Sequence, residues 1–236
     1  MTLYGIVSTI ANEKDNLEKF IYTLNHATKD HKIKIFLVFD RACTDGSYKL
    51  SQSLEKKYSN LTTLFCESSK CPTDSYLFGF KHAFDVGCDW IIDINGGFRH
   101  DPYEIKHFID NGNDKIKFVL GSRFTKSTEN SFSNFQRYFL SFYGTKLSVK
   151  LLRLNISDFT SGFHLMHRDC IEYLISKKIK SNYHFLQTEI RYLLCKKFDF
   201  KVVPITYNSN SKSLKIKVIY EAIYLLAYFS MIEHIG

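Results

Sequence analysis

The stretch that decides the fold is KIKIFLVFDRACTDGS, Lys32 to Ser47. Ile33 to Phe39 is a short, unbroken apolar run, the pattern of a strand buried in a sheet. Asp40 through Asp45-Gly46 break it with acids and a turn pair. Helical spacing then holds from Ser47 to about Tyr58. A strand, an acidic loop and a helix in that order make one unit of an α/β fold.

The same unit recurs outward from this point. Leu3 to Ser8 reads as a strand, and Leu17, Phe20, Ile21 and Leu24 carry the helical spacing that follows it. Further on come strands at Leu61 to Cys66 and Trp90 to Ile94, with a helix between them at Leu77 to Val86. A helix is expected after Asp101-Pro102, with proline in its first turn, and a fifth strand at Phe118 to Gly121. The second half differs. A long helix from about Phe132 to Leu154 precedes a short strand near Gly162 to Met166, further helices, and a strand at Lys201 to Ile205. The sequence thus predicts a single Rossmann-like α/β domain over 1–236, with a mostly parallel central sheet flanked by helices. In such sheets ligands sit at the carboxyl ends of the strands.

Composition narrows the classes. The chain has 236 residues, three prolines and eleven glycines, so no Pro/Gly-rich linker divides it, and 44% hydrophobic residues suffice for a core. The formal net charge of +8 suits a phosphate-bearing partner. Its lysines and arginines are scattered, however, and no basic-aromatic pattern of the single-strand-binding kind occurs, so nucleic acid is not the expected partner. The six cysteines lack metal-ligand spacing, and the N-terminus lacks the features of a signal peptide, so a cytoplasmic chain with reduced thiols is expected. Val218 to Ile232 is apolar nearly all round yet shorter than a membrane span. It is either buried, as core or as a homo-oligomer contact, or it lies on lipid behind Lys212, Lys215 and Lys217, peripheral at the inner face of the cell membrane.

Read at the strand ends, the chain offers Asn12-Glu13, Asp40 through Asp45, Asp93 to His100, and Gly121-Ser122-Arg123. Acids placed there can accept hydrogen bonds from a base or ribose, or hold a cation against a diphosphate. Singly, each has a structural alternative: Asp45-Gly46 as a turn, Asp101 as a helix cap, Glu13 as a first-turn acid.

In order, the segments ANEKDNL, FDRACTDGS, GFKHAFDVGCDWIIDINGGFRHDP, GSRF, DFTSGF, FLQTEI and VPITY resemble the family 2 glycosyltransferases of the GT-A fold. They are most similar to the branch that includes dolichol-phosphate mannose synthase. The resemblance runs from Val7 to about Tyr207. It implies an inverting glycosyltransferase that moves a sugar from a nucleoside-diphosphate sugar to a polyprenyl-phosphate, glycolipid or polysaccharide acceptor, in cell-surface glycan or lipopolysaccharide synthesis. It implies a nucleotide-sugar half over about 1–125 and an acceptor half over about 126–236. By the same resemblance Glu13, Asp40 and Asp45 hold the donor nucleotide, Arg123 and Arg137 face phosphate, and Asp158 or Glu189 would serve as base for a hydroxyl acceptor. Gln187 lies on the same helix as Glu189, and His100 beside the metal loop.

The departures fall on the metal loop. Aligned on His100 and Pro102, the family's Asp-x-Asp lands on Asn95-Gly96-Gly97, leaving Asp93 and Asn95 as the expected ligands for Mg²⁺ or Mn²⁺. Arg41 stands where the family has a second acid; it is expected either to meet diphosphate charge, where a metal would, or to point to solvent. Thr9 and Ala11 replace the family's proline and tyrosine, and its late basic motif shrinks to Asn210-Ser211-Lys212. These changes leave a second reading open, a non-catalytic homologue that binds nucleotide or partners an active transferase.

Overall fold

The structure, a computed structural model, describes residues 2–125, 135–208 and 215–235. Seven strands form one sheet: β1 (Leu3–Thr9), β2 (Lys32–Phe39), β3 (Leu61–Phe65), β4 (Trp90–Asp93), β5 (Phe118–Ser122), β6 (His164–His167) and β7 (Phe200–Pro204). Their spatial order is β3-β2-β1-β4-β6-β5-β7. The pairs β1–β2, β2–β3, β1–β4 and β5–β7 are parallel, while β6 runs antiparallel to both β4 and β5. The mostly parallel single-domain sheet expected from the sequence is therefore the observed one.

Eight helices accompany these strands among the described residues: α1 (Lys14–Ala27), α2 (Ser47–Leu54), α3 (Pro72–Asp85), α4 (Ile105–Ile109), α5 (Phe135–Leu152), α6 (Arg168–Ser176), α7 (Phe185–Lys197) and α8 (Ile216–Ile235). Helices cover both faces, which is why the central strands read as apolar runs and not as alternating ones. On one face Ile6, Ile35, Leu37, Phe39 and Ile92 pack against Leu17, Phe20, Ile21 and Leu24 of α1 and Phe108 of α4. On the other, Val7, Phe36, Val38, Ile91 and Met166 meet Phe80 of α3, Ile171 of α6, Ile190 of α7 and Phe229 of α8.

Local chemistry sets the helix starts. Helix α3 begins at Pro72, five residues before the apolar spacing predicts, because a capping box between Cys71 and Asp74 satisfies its first amides. Asp101 accepts a hydrogen bond from the Tyr103 amide at 3.0 Å, as its sequence context predicts. The helix there is only a 3-10 turn leading into α4. All six cysteines are free thiols.

Two features place the site. The chain builds β1, β2 and β3 outward, then returns to place β4 on the other side of β1. A topological switch point thus opens between the carboxyl ends of β1 and β4. Strand β6 runs the opposite way, so the loop before it, 155–163, reaches that same edge.

Close packing of α3 on the sheet supplies a direct test. A Cβ on Gly79 would approach Val7 Cγ1 to 2.6 Å and Val38 Cγ2 to 2.7 Å. Helix propensity favours Gly79→Ala by about 1 kcal/mol, whereas overpacking costs about 1–3 kcal/mol. The variant is expected to be less stable, with a midpoint in thermal denaturation roughly 2–6 °C lower. A midpoint at or above wild type would show that α3 can move off β1.

Candidate functional site

The crevice at the carboxyl edge is built first from two loops tied together. Asn12 sits at φ 58, a backbone region asparagine tolerates. Its Oδ1 accepts from the amides of Thr44 (2.8 Å) and Asp45 (3.2 Å), and its Nδ2 donates to the Ala42 carbonyl at 3.3 Å. Asp45 accepts from the amide of Lys14, the first residue of α1, at 2.9 Å, and from the amide and hydroxyl of Ser47, the first residue of α2, at 2.9 and 2.5 Å. Burial works against the carboxylate, but the hydrogen bonds from Ser47, the Lys14 amide and Cys43 together outweigh it and lower its pKa to about 2. Asp45 thus spends its oxygens on two helix starts. Asp40 lies at the end of β2, half-buried, accepting from the Ala42 amide at 2.9 Å and the Ser75 hydroxyl at 2.7 Å. Arg41 beside it is exposed.

The loop after β4 crosses to meet Glu13. Gly97 has φ +75, and a Cβ there would overlap the Glu13 carboxylate, which fills that space. Arg99 approaches the same carboxylate at 3.5 Å, with 41% of its own side chain exposed. Burial raises the Glu13 pKa, and the Arg99 charge opposes that rise. Asn95, one of the two expected metal ligands, accepts the Tyr76 hydroxyl at 2.9 Å. Asp93, the other, is fully buried, and neither of its oxygens has a hydrogen-bond partner. Nδ1 of His164 lies 3.6 Å away across the β4–β6 pairing, and the Gln187 side chain also acts on the carboxyl, opposing the effect of burial. Burial pushes the carboxyl well above the usual range.

These residues fit the expected divalent ion poorly. Hard cations want several oxygen ligands, commonly with one or two carboxylates among them. Here the one carboxyl is sealed from solvent, the amide oxygen is already engaged, and both glycines supply nothing. Among the described residues no three acids, histidines or cysteines converge.

The far wall is a buried charge network. Arg123, just past β5, pairs bidentately with Asp158 at 2.8 and 3.0 Å and also donates to the Thr160 hydroxyl. Arg191 on α7 is wholly buried. It donates to His164 Nε2 and to the Gly121 carbonyl, both at 2.9 Å, and to the Asp158 carbonyl. Burial lowers the Arg191 pKa to about 10, which leaves it charged at neutral pH. Burial alone would raise the Asp158 pKa, yet the Arg123 guanidinium holds it well below the usual carboxylate range. A carboxylate held this way is a poor proton acceptor. Glu189 is buried too, and accepts from the Lys180 and Ser181 amides at 2.8 and 2.9 Å and from the Ser181 hydroxyl. Neither acid is placed as the general base the sequence pattern suggests; each holds a loop. Arg123 likewise faces Asp158 first, although its guanidinium also lies 5.0 Å from the Tyr207 ring. The Arg137 side chain and the Asn210-Ser211-Lys212 segment lie outside the described residues.

The geometry can now be set beside known proteins. A profile of glycosyl transferase family 2 matches residues 6–175. The chain belongs to glycosyl transferase family 2. Polyprenol monophosphomannose synthase of Mycolicibacterium smegmatis is 24% identical to it over 198 residues, covering 83% of this chain and 74% of that one. Among solved structures, glucosyl-3-phosphoglycerate synthase from Mycobacterium tuberculosis with Mn²⁺, uridine diphosphate and phosphoglyceric acid superposes with TM-score 0.70 at 9% identity. That match covers 97% of this chain and 78% of the other. The same enzyme with Mn²⁺, uridine-diphosphate-glucose and phosphoglyceric acid gives TM-score 0.69, also at 9% identity, over 97% and 80% of the two chains. At such identities the likeness shows a shared GT-A fold.

Within this family site, three residues escaped the sequence reading. Arg191 follows Gln187 by one helical turn, so both share a face of α7, and a Cβ on Gly162 would lie 3.0 Å from the Gln187 amide nitrogen. His164 is visible only through its pairing with Asp93. Arg99 was signalled by a basic side chain inside an otherwise small, neutral loop.

His100 gives the site a measurable pH signature. Its ring is fully buried between Phe163 and Tyr207, with centroids 5.1 and 5.4 Å away. Burial, then the Arg123 charge, lowers its pKa to about 3. The unfolded chain takes up that proton near pH 6.5 and the folded chain does not. Stability therefore falls by about 1.4 kcal/mol per pH unit below 6.5. His100→Phe removes this contribution, so between pH 7 and pH 5 the variant is expected to lose roughly 2 kcal/mol less than wild type in urea denaturation. Equal losses would show that the His100 ring is protonated in the folded state.

Proposed function

We propose that this family 2 glycosyltransferase moves a sugar from a nucleoside-diphosphate donor to a lipid-borne phosphate, with inversion at the anomeric carbon. The observation that carries this reading is the state of the two candidate bases. With Asp158 held by Arg123 and Glu189 spent on a loop, neither candidate carboxylate is free to deprotonate a hydroxyl. A phosphate acceptor is already ionised and needs none. The similarity to a polyprenol monophosphomannose synthase supports the same acceptor class.

In this reading residues 1–125 hold the donor, with Asp40 and Glu13 at the nucleoside end of the crevice. The second half, with the 158–163 loop, faces the acceptor. One acceptor oxygen attacks the anomeric carbon from the side opposite the diphosphate. The sugar–diphosphate C–O bond breaks with its electron pair leaving on the nucleoside diphosphate. The site's work is electrostatic. Arg123 and Arg191 place two buried guanidinium groups in the far wall, positive charge held in position beside the crevice. No step is assigned to a divalent ion. The glycine-rich loop keeps one alternative alive, a homologue that binds nucleotide without turnover.

Incubating the protein with uridine-diphosphate-glucose or guanosine-diphosphate-mannose and a polyprenyl phosphate in detergent is expected to release nucleoside diphosphate. Asp40→Asn is expected to weaken diphosphate binding roughly tenfold through loss of a charged hydrogen-bond acceptor. Binding without release under any donor would favour the non-catalytic homologue, and unchanged affinity in the variant would remove Asp40 from the donor site.

A lipid acceptor implies a lipid surface, and one face of the molecule suits it. Of the fourteen exposed large hydrophobic side chains described, nine lie on α5 and α8, among them Tyr143, Leu147, Ile216, Tyr220, Ile223 and Tyr224. Exposed Lys146 and Lys150 flank the α5 stripe, and Lys215 and Lys217 stand at the start of α8. No helix among the described residues is long and apolar enough to cross a membrane. We infer a peripheral contact in which these side chains enter the headgroup region beside anionic lipid. Co-sedimentation with phosphatidylglycerol vesicles is expected, falling with salt and lost in a Tyr220→Asp, Ile223→Asp double variant. No co-sedimentation, together with a concentration-dependent dimer, would assign the face to a second copy of the chain.

A further inference from the structure

The donor site just proposed needs positive charge beside the leaving diphosphate, and the loop after β4 is where the fold would supply it. Position 97, where the family has an acid, is a glycine here. Its backbone is left-handed, and the space a side chain would take is filled by the carboxylate of Glu13. What faces that carboxylate is a cation, Arg99, at 3.5 Å with 41% of its side chain exposed. The Arg99 charge is also felt at the Tyr76 hydroxyl, which itself bonds Asn95. The guanidinium therefore sits beside Glu13 and close enough to Tyr76, the partner of Asn95, for its charge to be felt there, so a divalent ion held by this loop would meet like charge.

We propose that Arg99 is the cation of the donor site: its guanidinium, released from Glu13, pairs with the donor diphosphate and neutralises the charge that builds there as the sugar leaves. This deepens the donor-site reading and rests on it. Guanidinium is suited to the task, since it remains charged at any working pH and offers parallel N–H donors to two phosphate oxygens. Before the donor arrives, Glu13 holds the side chain at a long, weak contact, so little is lost in exchanging one anion for another. In the transfer step the anomeric C–O bond breaks, both electrons go to the β-phosphate oxygen, and the acceptor oxygen supplies the pair for the new bond. Arg99 changes neither bond nor protonation state. Its part is to stabilise the extra negative charge on the leaving group.

Calorimetric titration of the full chain with uridine and guanosine diphosphates, and with the matching monophosphates, tests this with either chelator or Mn²⁺ present. Wild type is expected to bind one of the diphosphates with less than a twofold difference between chelator and Mn²⁺. Arg99→Gln is expected to weaken the diphosphate by about tenfold or more and the monophosphate by clearly less, with Arg99→Lys recovering part of the loss. Arg99 is half-exposed with one long ion pair, so unchanged circular dichroism should accompany these losses. Diphosphate binding that needs Mn²⁺ in wild type, or that is unchanged in Arg99→Gln, would overturn the role of Arg99 while leaving the donor site in place. Failure of both diphosphates to bind in either condition would overturn the donor site itself, and this inference with it.

Discussion

The site depends on one buried guanidinium. Arg191 reaches from α7 to the Gly121 carbonyl at the end of β5, the Asp158 carbonyl in the 155–163 loop, and the His164 ring on β6. Three segments distant in sequence are thereby held at one edge of the sheet. A charge taken so completely out of water is tolerated only with its donors satisfied, and removing a partner from such a group typically costs about 3–5 kcal/mol. The bond from Arg191 Nε also fixes His164. Since Nε2 must accept, the proton of the neutral ring lies on Nδ1, facing Asp93. The tautomer follows from the hydrogen-bond pattern, and it leaves Asp93 facing a weak donor across 3.6 Å and not a charge.

From that constraint the two walls of the crevice acquire different characters. The wall formed by β5, β6 and α7 buries two guanidinium groups, and Arg123 pairs with Asp158, so that carboxylate is spent on structure and cannot readily take a proton. The wall formed by the loops after β1 and β2 carries acids. Of these Asp45 is consumed in starting α1 and α2, while Glu13 and Asp40 remain towards the open crevice. The loop after β4 spans the walls, and its glycines let Glu13 and Arg99 meet across it. A reaction in which a diphosphate departs and an ionised acceptor attacks calls for positive charge held in place and not for a proton acceptor.

The apolar stripe along α5 and α8 fits the same logic from the outside. It lies in the second half of the chain, the half proposed to face the acceptor, and lysines border it. A helix apolar nearly all round needs cover; α8 buries one side through Leu225, Leu226 and Phe229 and leaves the other uncovered.

Much of this was legible in the sequence. Parallel strands covered on both faces must be apolar throughout, so Ile33 to Phe39 and Trp90 to Ile94 announced themselves, and the acids after them marked the ligand edge. The ordered segments from Ala11 to Tyr207 identified the family, because phosphate and sugar chemistry demands particular side chains at strand ends. The roles of those side chains were a different matter. Asp45, Asp158 and Glu189 are the same residue types whether they meet a ligand or a backbone amide, and only the fold shows which amides lie within reach. Nothing local reveals that β6 enters the sheet antiparallel between β4 and β5, because strand direction is set by partners far away in the chain. Arg191 reads as an ordinary polar position on a helix until β5, β6 and the 155–163 loop close over it. Arg99 likewise becomes a candidate cation only once Glu13, 86 positions earlier, is seen to fill the space beside Gly97. Apolar periodicity and turn chemistry act over a few residues and can be read from the chain; the pairing of buried charges acts across the fold, and the tertiary structure alone decides it.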